Sequence, residues 1–464
     1  MTRPSENTLE TAGAAAAQAA IATTAARPSN SALLSQIFAL AAPTTALSML
    51  QVIAQLTETW LAARQGTATL AGWAVMLPFV LLMAMMSTGA MGGGVVSAVA
   101  RALGGKRRDE AAALVQHALM IATGFGLLFA VGVSLLARPL ITAVAGADAA
   151  VQGAPFAYWV FAAGAVPSWW SNTLASVLRG GGRHGLAARV LAISSIAMPP
   201  LAWALAEPAG LGLPGVGLAF ALTNTAAAAA LAVAVKRGDA GFVPHLALKP
   251  SWPMFQRILA VGAVASVLAT IANLATIGVT AQLRHFGPAT VAAYGIAARL
   301  EFLIIPIAFG IGAALTALCG RFVGAGDWPT ARRIAWLGGL VSLGVTGVIG
   351  ITVALLPLHF AALFTSDAVV AQIAAGALHY TGYAFGGFGL GMSMYFAALG
   401  AGRLRWPVIA GISRLGIAVL GGWWLSEGLG LGAEGNFIAV ALAITSYGVF
   451  AAAGVRASVW CGRG

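Results

Sequence analysis

The sequence predicts an all-α membrane protein, with twelve transmembrane helices in two pseudo-symmetric six-helix lobes. Three observations carry this. Among the 464 residues, 59% are hydrophobic and only 8% charged, and the mean hydropathy is +0.89, outside the range of soluble domains. Uncharged gaps between the scarce charges supply twelve apolar stretches, each near or above the roughly 20 residues that a membrane-crossing helix needs. Finally, the chain repeats itself at a spacing of 220 residues.

The repeat is most visible in two segments. Residues 66–111 read GTATLAGWAVMLPFVLLMAMMSTGAMGGGVVSAVARALGGKRRDEA. Residues 287–333 read GPATVAAYGIAARLEFLIIPIAFGIGAALTALCGRFVGAGDWPTARR. Arg101 answers Arg321, Gly104 answers Gly324 and Ala111 answers Ala331. Further on, Gly182 pairs with Gly402, Gly212 with Gly432, Gly215 with Gly435 and Ala219 with Ala439. Two copies with an even number of spans each have the same orientation, an arrangement in which a substrate path runs between the halves.

In chain order, residues 1–32 are rich in Ala, Thr and Ser and lack the basic start and apolar centre of a signal peptide, so a mobile cytoplasmic tail is expected. The first lobe, 33–235, has spans at 33–62, 68–100, 111–137, 151–178, 186–206 and 215–235. In the segment 236–256, three prolines and several charges forbid a span, which makes it the cytoplasmic linker. The second lobe, 257–456, has spans at 257–283, 290–320, 334–357, 371–399, 406–426 and 435–456. A short cytoplasmic tail, 457–464, closes the chain. If the N-terminus is cytoplasmic, 21 of the 25 lysines and arginines fall on that side, Arg414 counted among them, and only Arg64, Arg138, Arg284 and Arg299 do not. The positive-inside rule therefore places both termini in the cytoplasm of a cell whose inner (plasma) membrane holds the protein.

Several function classes are disfavoured. The net charge of +12 is spread singly between apolar runs rather than gathered into a patch, so no nucleic-acid partner is expected. Two cysteines, Cys319 and Cys461, make no disulfide framework. Six histidines show no metal-ligand spacing, no phosphate-loop pattern occurs, and no nucleophile–base constellation is visible, so neither a metal nor an enzymatic activity is expected. Most of the 59 glycines are read as close-packing positions between helices.

Ionisable groups inside a bilayer are costly and are functional candidates for that reason. Glu58 lies six residues before Arg64, about 9 Å inside the first span. A carboxyl there suits a carrier that must take and release a proton, the alternative being a structural pair with Arg64. Glu301 lies about 18 Å into the eighth span, near the midplane, and is the second candidate for proton or cation coupling, the alternative being a structural polar network. Arg299, two residues away, points to a nearly opposite face, so each needs its own partner, and a structural role is expected for the arginine. Neither acid recurs in the other copy: Glu58 falls opposite Gly278 or Val279, Glu301 opposite Leu81 or Val80. Gln51, Gln55, Tyr158, Asn172, Asn273 and Tyr294 join Arg299 as candidates for a substrate cavity. Carboxylates and rings facing water together suit organic cations through charge and cation–π attraction.

Twelve spans, the segment AAYGIAARLEFLIIPIAFGIGAALTALCGRFVGAGDWPTARR, the P-T-T of Pro43 to Thr45, the L-T-E-T around Glu58, and the turns L-R-G-G-G-R and L-G-A-G-R together resemble the multidrug and toxic compound extrusion (MATE) family. The resemblance covers residues 33–456. It implies a monomeric antiporter that exports small organic compounds, often cationic, with a proton or sodium gradient as energy source and no cofactor. Glu58 stands where proton-coupled members have an aspartate. The seventh span, ATIANLAT, has Asn273 but lacks the carboxylate usual in sodium-type members, which implies protons and the branch resembling the DNA-damage-inducible protein F. Alternatives are a lipid-linked precursor flippase of the same superfamily, which wants an arginine-rich cavity, and a polytopic membrane enzyme, which wants clustered histidines and acids.

Overall fold

A computed structural model describes residues 28–244, 249–456, 458 and 460. The expected tails lie largely outside the described residues, at 1–27 and in most of 457–464 with Cys461. The remainder folds into long helices: α1 (Asn30–Arg64), α2 (Thr67–Gly104), α3 (Arg108–Ala145), α4 (Ala147–Gly180), α5 (His184–Ala206), α6 (Leu213–Lys236), α7 (Trp252–Phe286), α8 (Pro288–Gly324), α9 (Trp328–Leu355), α10 (Ala368–Ala401), α11 (Arg405–Gly428) and α12 (Gly432–Ala453). Eleven are long and apolar enough to cross a membrane, and the twelfth, α4, does so as a pair bent by 45°. A short helix, Pro357–Ala362, lies between α9 and α10.

The helices overshoot the uncharged gaps. Asn30 opens α1 because Ser29 caps it, its hydroxyl accepting from Ala32 N–H at 3.2 Å. Helix α3 runs on through Arg138 to Ala145, so that arginine sits inside the last turns rather than in a loop. Charge marks where a helix leaves the hydrocarbon, whereas the backbone keeps hydrogen bonding beyond that point. Wide turns interrupt α2 at Met85–Met91, α4 at Tyr158–Ala163 and α11 at Ile417–Gly421 and Trp424–Gly428. Such π-type segments shift the facing of every side chain that follows.

Alternate chain reversals gather at two ends. One, the basic end, holds Arg101, Arg179, Arg321 and Arg405; the far end holds the turns at Gln65, Gly146 and Gly287. Each lobe has its own apolar core at the far end. In the first, Trp169 lies under Phe125 and Phe129; in the second, Phe385, Phe388 and Phe437 meet Leu378 and Ile444.

The first helix of each lobe crosses the divide. On α1, Leu33, Ile37 and Ala41 are buried among Ile311, Leu315 and Leu318 of the opposite lobe, while Leu61 and Ala62 belong to the core of their own. Helix α7 mirrors it: Ile258 joins the first lobe's core, and Val279 and Leu283 join the second's. Between these anchors, 48–60 on α1 and 266–274 on α7 contain no buried residue.

The lobes meet toward the basic end. Ser97 on α2 donates to the carbonyls of Leu399 (2.6 Å) and Gly400 (3.2 Å) on α10. Gly94 lies so close to α7 that a Cβ would stand 2.7 Å from the Ile258 oxygen. At the rim, a Cβ on Gly104 would collide with the Arg321 carbonyl, and one on Gly324 with the Arg101 carbonyl. These four residues are the two repeat-related pairs, each touching the other's partner.

Candidate transport site

The uncovered stretch of α1 has two faces. Thr44, Ser48, Gln51, Gln55 and Glu58 follow one another at steps of three and four, which on a helix of 3.6 residues per turn form one polar stripe. Ile53, Leu56 and Trp60, each more than half exposed, form an apolar stripe on the opposite side. The polar stripe is tied down at its basic end only. Thr44 shares a hydrogen with His184 Nδ1 at 3.3 Å, and Ser48 donates to the Thr44 carbonyl at 3.0 Å. Glu58 is half-buried and makes no hydrogen bond or ion pair among the described residues.

Arg64, the one expected structural partner of Glu58, is engaged elsewhere. Its Nε donates to Glu207 Oε1 at 2.8 Å, and its guanidinium lies 4.9 Å from the centre of the Trp60 ring. Trp203 Nε1 donates to the other oxygen of Glu207 at 3.0 Å. The far end of α1 is thereby fastened to α5 without Glu58.

Helix α7 repeats the stripe in weaker form, with Ser266, Thr270, Asn273 and Thr280. All four satisfy themselves on carbonyls one turn back, Asn273 on Ala269 at 2.8 Å. None is ionisable.

Glu301 is fully engaged in the second lobe. Arg414 Nη2 on α11 donates to Glu301 Oε1 at 2.6 Å, both side chains being less than a fifth exposed. The guanidinium is also 5.4 Å from the Phe388 ring centre and 5.9 Å from that of Tyr447, so rings from α10 and α12 enclose it. The counting of Arg414 with the loop cations is corrected: ten residues into α11, it serves an acid from α8. Its place within an uncharged run was the available signal.

A family model described as MatE matches residues 43–204 and again 263–424, both limits displaced by 220. The chain belongs to the MatE family. Curated relatives of this MatE chain include a probable multidrug resistance protein NorM from Xylella fastidiosa, 31% identical over 40% of this chain. That match spans only 38% of the relative's own length. A NorM relative from Xanthomonas axonopodis pv. citri is 26% identical over 68% of this chain and 70% of its own. In fold, this MatE chain is similar to the crystal structure of a mutant of the Vibrio cholerae MATE transporter VcmN, with a TM-score of 0.85 and 20% identity over 93% of this chain and 98% of that one. The curated relatives are described as multidrug resistance proteins and the solved structure as a transporter.

The other expected cavity residues separate. Gln51, Gln55, Asn273 and Arg299 are exposed, and Tyr158 is 41% exposed on the wide turn of α4. Asn172 is half-buried and donates to Ser87 Oγ at 2.9 Å, clasping α4 to the wide turn of α2. Tyr294 is a correction: at 6% exposure it belongs to the second lobe's core, beside the Glu301–Arg414 pair, and lines no open surface.

Arg299 is a second correction. A buried partner was expected, but among the described residues it is exposed and has none, because the face opposite Glu301 is left uncovered on α8. Arg299→Ala is therefore expected to leave the melting temperature in detergent and the yield of folded protein at wild-type level. Thermal unfolding monitored by size-exclusion fluorescence checks this; a large loss would show a hidden packing role.

Proposed function

We propose that the chain is an antiporter that exports small organic compounds, chiefly cations, against an inward proton gradient, by alternating access between its lobes. The observation that carries this reading is the unpartnered Glu58 on the polar stripe of α1. Three amide and acid side chains facing lipid would be expensive, so this stripe belongs to a wet space, and the opposite apolar stripe to the bilayer. With the lobes joined toward the basic end and 48–60 and 266–274 uncovered, that space is a cleft opening at the far end.

In this reading Gln51 and Gln55 on one wall, and Asn273 on the other, offer hydrogen bonds to a bound compound, and Glu58 offers it a charge. Proton arrival at Glu58 removes that charge and releases the compound; proton loss, once the site faces the other side, restores it. Exchange of occupants at one carboxylate is what couples the two fluxes. Glu301 holds α8 against α11 through Arg414. A neutral Asn273 in place of an acid on α7 favours protons over sodium and the branch resembling the DNA-damage-inducible protein F. The excess of cations at the basic end supports the reading that this end faces the cytoplasm; in this reading the chain works in the inner membrane, and as a monomer.

The test is efflux of a fluorescent organic cation from proteoliposomes under an imposed inward proton gradient, with a sodium gradient of equal size in parallel. Export driven by protons and not by sodium is the expected result. Export driven by sodium alone would overturn the coupling, and no export of any cation in the panel would overturn the substrate class.

A further inference from the structure

At the basic end, a cavity of about 620 Å³ opens between the tip of α2 and the starts of α7 and α11. Its polar side is made of three arginines from two lobes: Arg101 on α2, Arg257 on α7 and Arg405 on α11. Its other side is apolar, with Val264, Val408 and Ile409 running along α7 and α11 away from that end. The guanidinium of Arg101 reaches across the lobe boundary to press against Gly402, where any side chain would collide with it.

The charges do not cancel. Glu110 is the nearby acid, and it is shared between Arg257 and Arg107, the latter at 3.2 Å. Arg101 feels the like charges of both of those arginines, and neither Arg101 nor Arg405 has a carboxylate partner among the described residues. Cations contributed by both lobes thus face one another across a joint that is otherwise closed.

We propose that this cavity binds an anionic phospholipid, with its phosphate among Arg101, Arg257 and Arg405 and its chain along Val264, Val408 and Ile409. A free phosphate would satisfy the guanidiniums and leave the apolar wall wet. A neutral lipid would cover the wall and leave the cations facing one another. Only an occupant with both parts answers both sides, and the polybasic end of a membrane protein is where such headgroups are drawn. Because the arginines come from opposite lobes, the bound headgroup ties the lobes together at this end and favours the conformation open at the far end.

A repeat-related chamber provides a contrast. In the second cavity, of about 420 Å³, Arg321 stands near Gly182, each 220 residues from its counterpart Arg101 or Gly402. There the lining holds two arginines, Arg108 and Arg321, together with Gln36, the apolar Leu40, Leu103 and Leu318, and the linker residues Ala240 and Gly241. The cluster of three arginines exists in one copy only.

The full chain purified in detergent, offered phosphatidylglycerol or phosphatidylcholine and measured by native mass spectrometry, tests the proposal. Wild type is expected to retain phosphatidylglycerol several-fold more than phosphatidylcholine, and inorganic phosphate at millimolar concentration is expected not to displace it. Arg405→Ala, an exposed residue without an ion pair, is expected to lose most of that preference. Arg237→Ala, also exposed at the basic end but outside the cavity, is expected to keep it. Equal retention of the two lipids, or an unchanged preference in Arg405→Ala, overturns the proposal. Displacement by phosphate alone identifies a small-anion site instead and equally overturns it.

Discussion

Glu58→Gln is expected to reduce proton-driven efflux to the level of empty liposomes while leaving the protein folded and inserted. The amide has the size of the carboxyl and the charge of its protonated form, so it fixes the site in one of its two states. No partner is lost, since Glu58 makes no hydrogen bond or ion pair among the described residues; removing a half-buried charge that nothing compensates should not lower thermal stability. Glu58→Asp keeps the titrating group one methylene shorter and is expected to retain part of the activity. The measurement is initial efflux rate in proteoliposomes as the outside pH is lowered at fixed inside pH. The wild-type rate should climb along that series and the Gln variant's should stay flat; a Gln variant with wild-type rate and pH response would move the coupling to another residue.

The second large effect concerns stability rather than transport. Arg414→Ala is expected to destabilise the second lobe by about 3–5 kcal/mol, the usual cost of breaking a buried pair, out of a total on the order of 5–15 kcal/mol. The variant leaves Glu301 without an ion-pair partner among the described residues, and opens a space against Phe388 and Tyr447. The double change Arg414→Ala with Glu301→Gln should recover much of the loss, because no lone charge then remains. Melting temperature and the yield of monodisperse protein for both variants, compared with wild type, measure this. A single variant as stable as wild type would show that the pair holds nothing together, and would return Glu301 to the position of a coupling candidate.

The architecture was legible to the extent that it is written in one dimension. Scarce charges delimit the helices, a register of 220 announces the duplication, and the step of four then three from Gln51 to Gln55 to Glu58 announces a shared face. Partnerships across the fold were not legible. Arg414 and Glu301 are 113 residues apart; the uncharged run around Arg414 marks it as a cation inside a span, but nothing local names the acid it meets. Which face of α8 is left uncovered depends on how the other helices pack around it, so the exposure of Arg299 and the burial of Tyr294 could not be read from the segment that contains them. The wide turns in α2, α4 and α11 break the very periodicity on which such readings depend.

The crossed contacts of Gly104 with Arg321 and of Gly324 with Arg101 are those of an isologous interface, in which one patch meets its own copy about a two-fold axis. A single polypeptide here retains the joint of a homodimer. The two contacts stand on either side of that axis, so parting the lobes at the basic end breaks both together. The two lobes are thereby disposed to separate at the basic end as a unit, in one step, instead of peeling from one side. A symmetric joint of this kind also explains how the sites can differ while the motion stays shared. Glu58 could arise in one copy, and the Glu301–Arg414 pair in the other, without disturbing the hinge that both copies build.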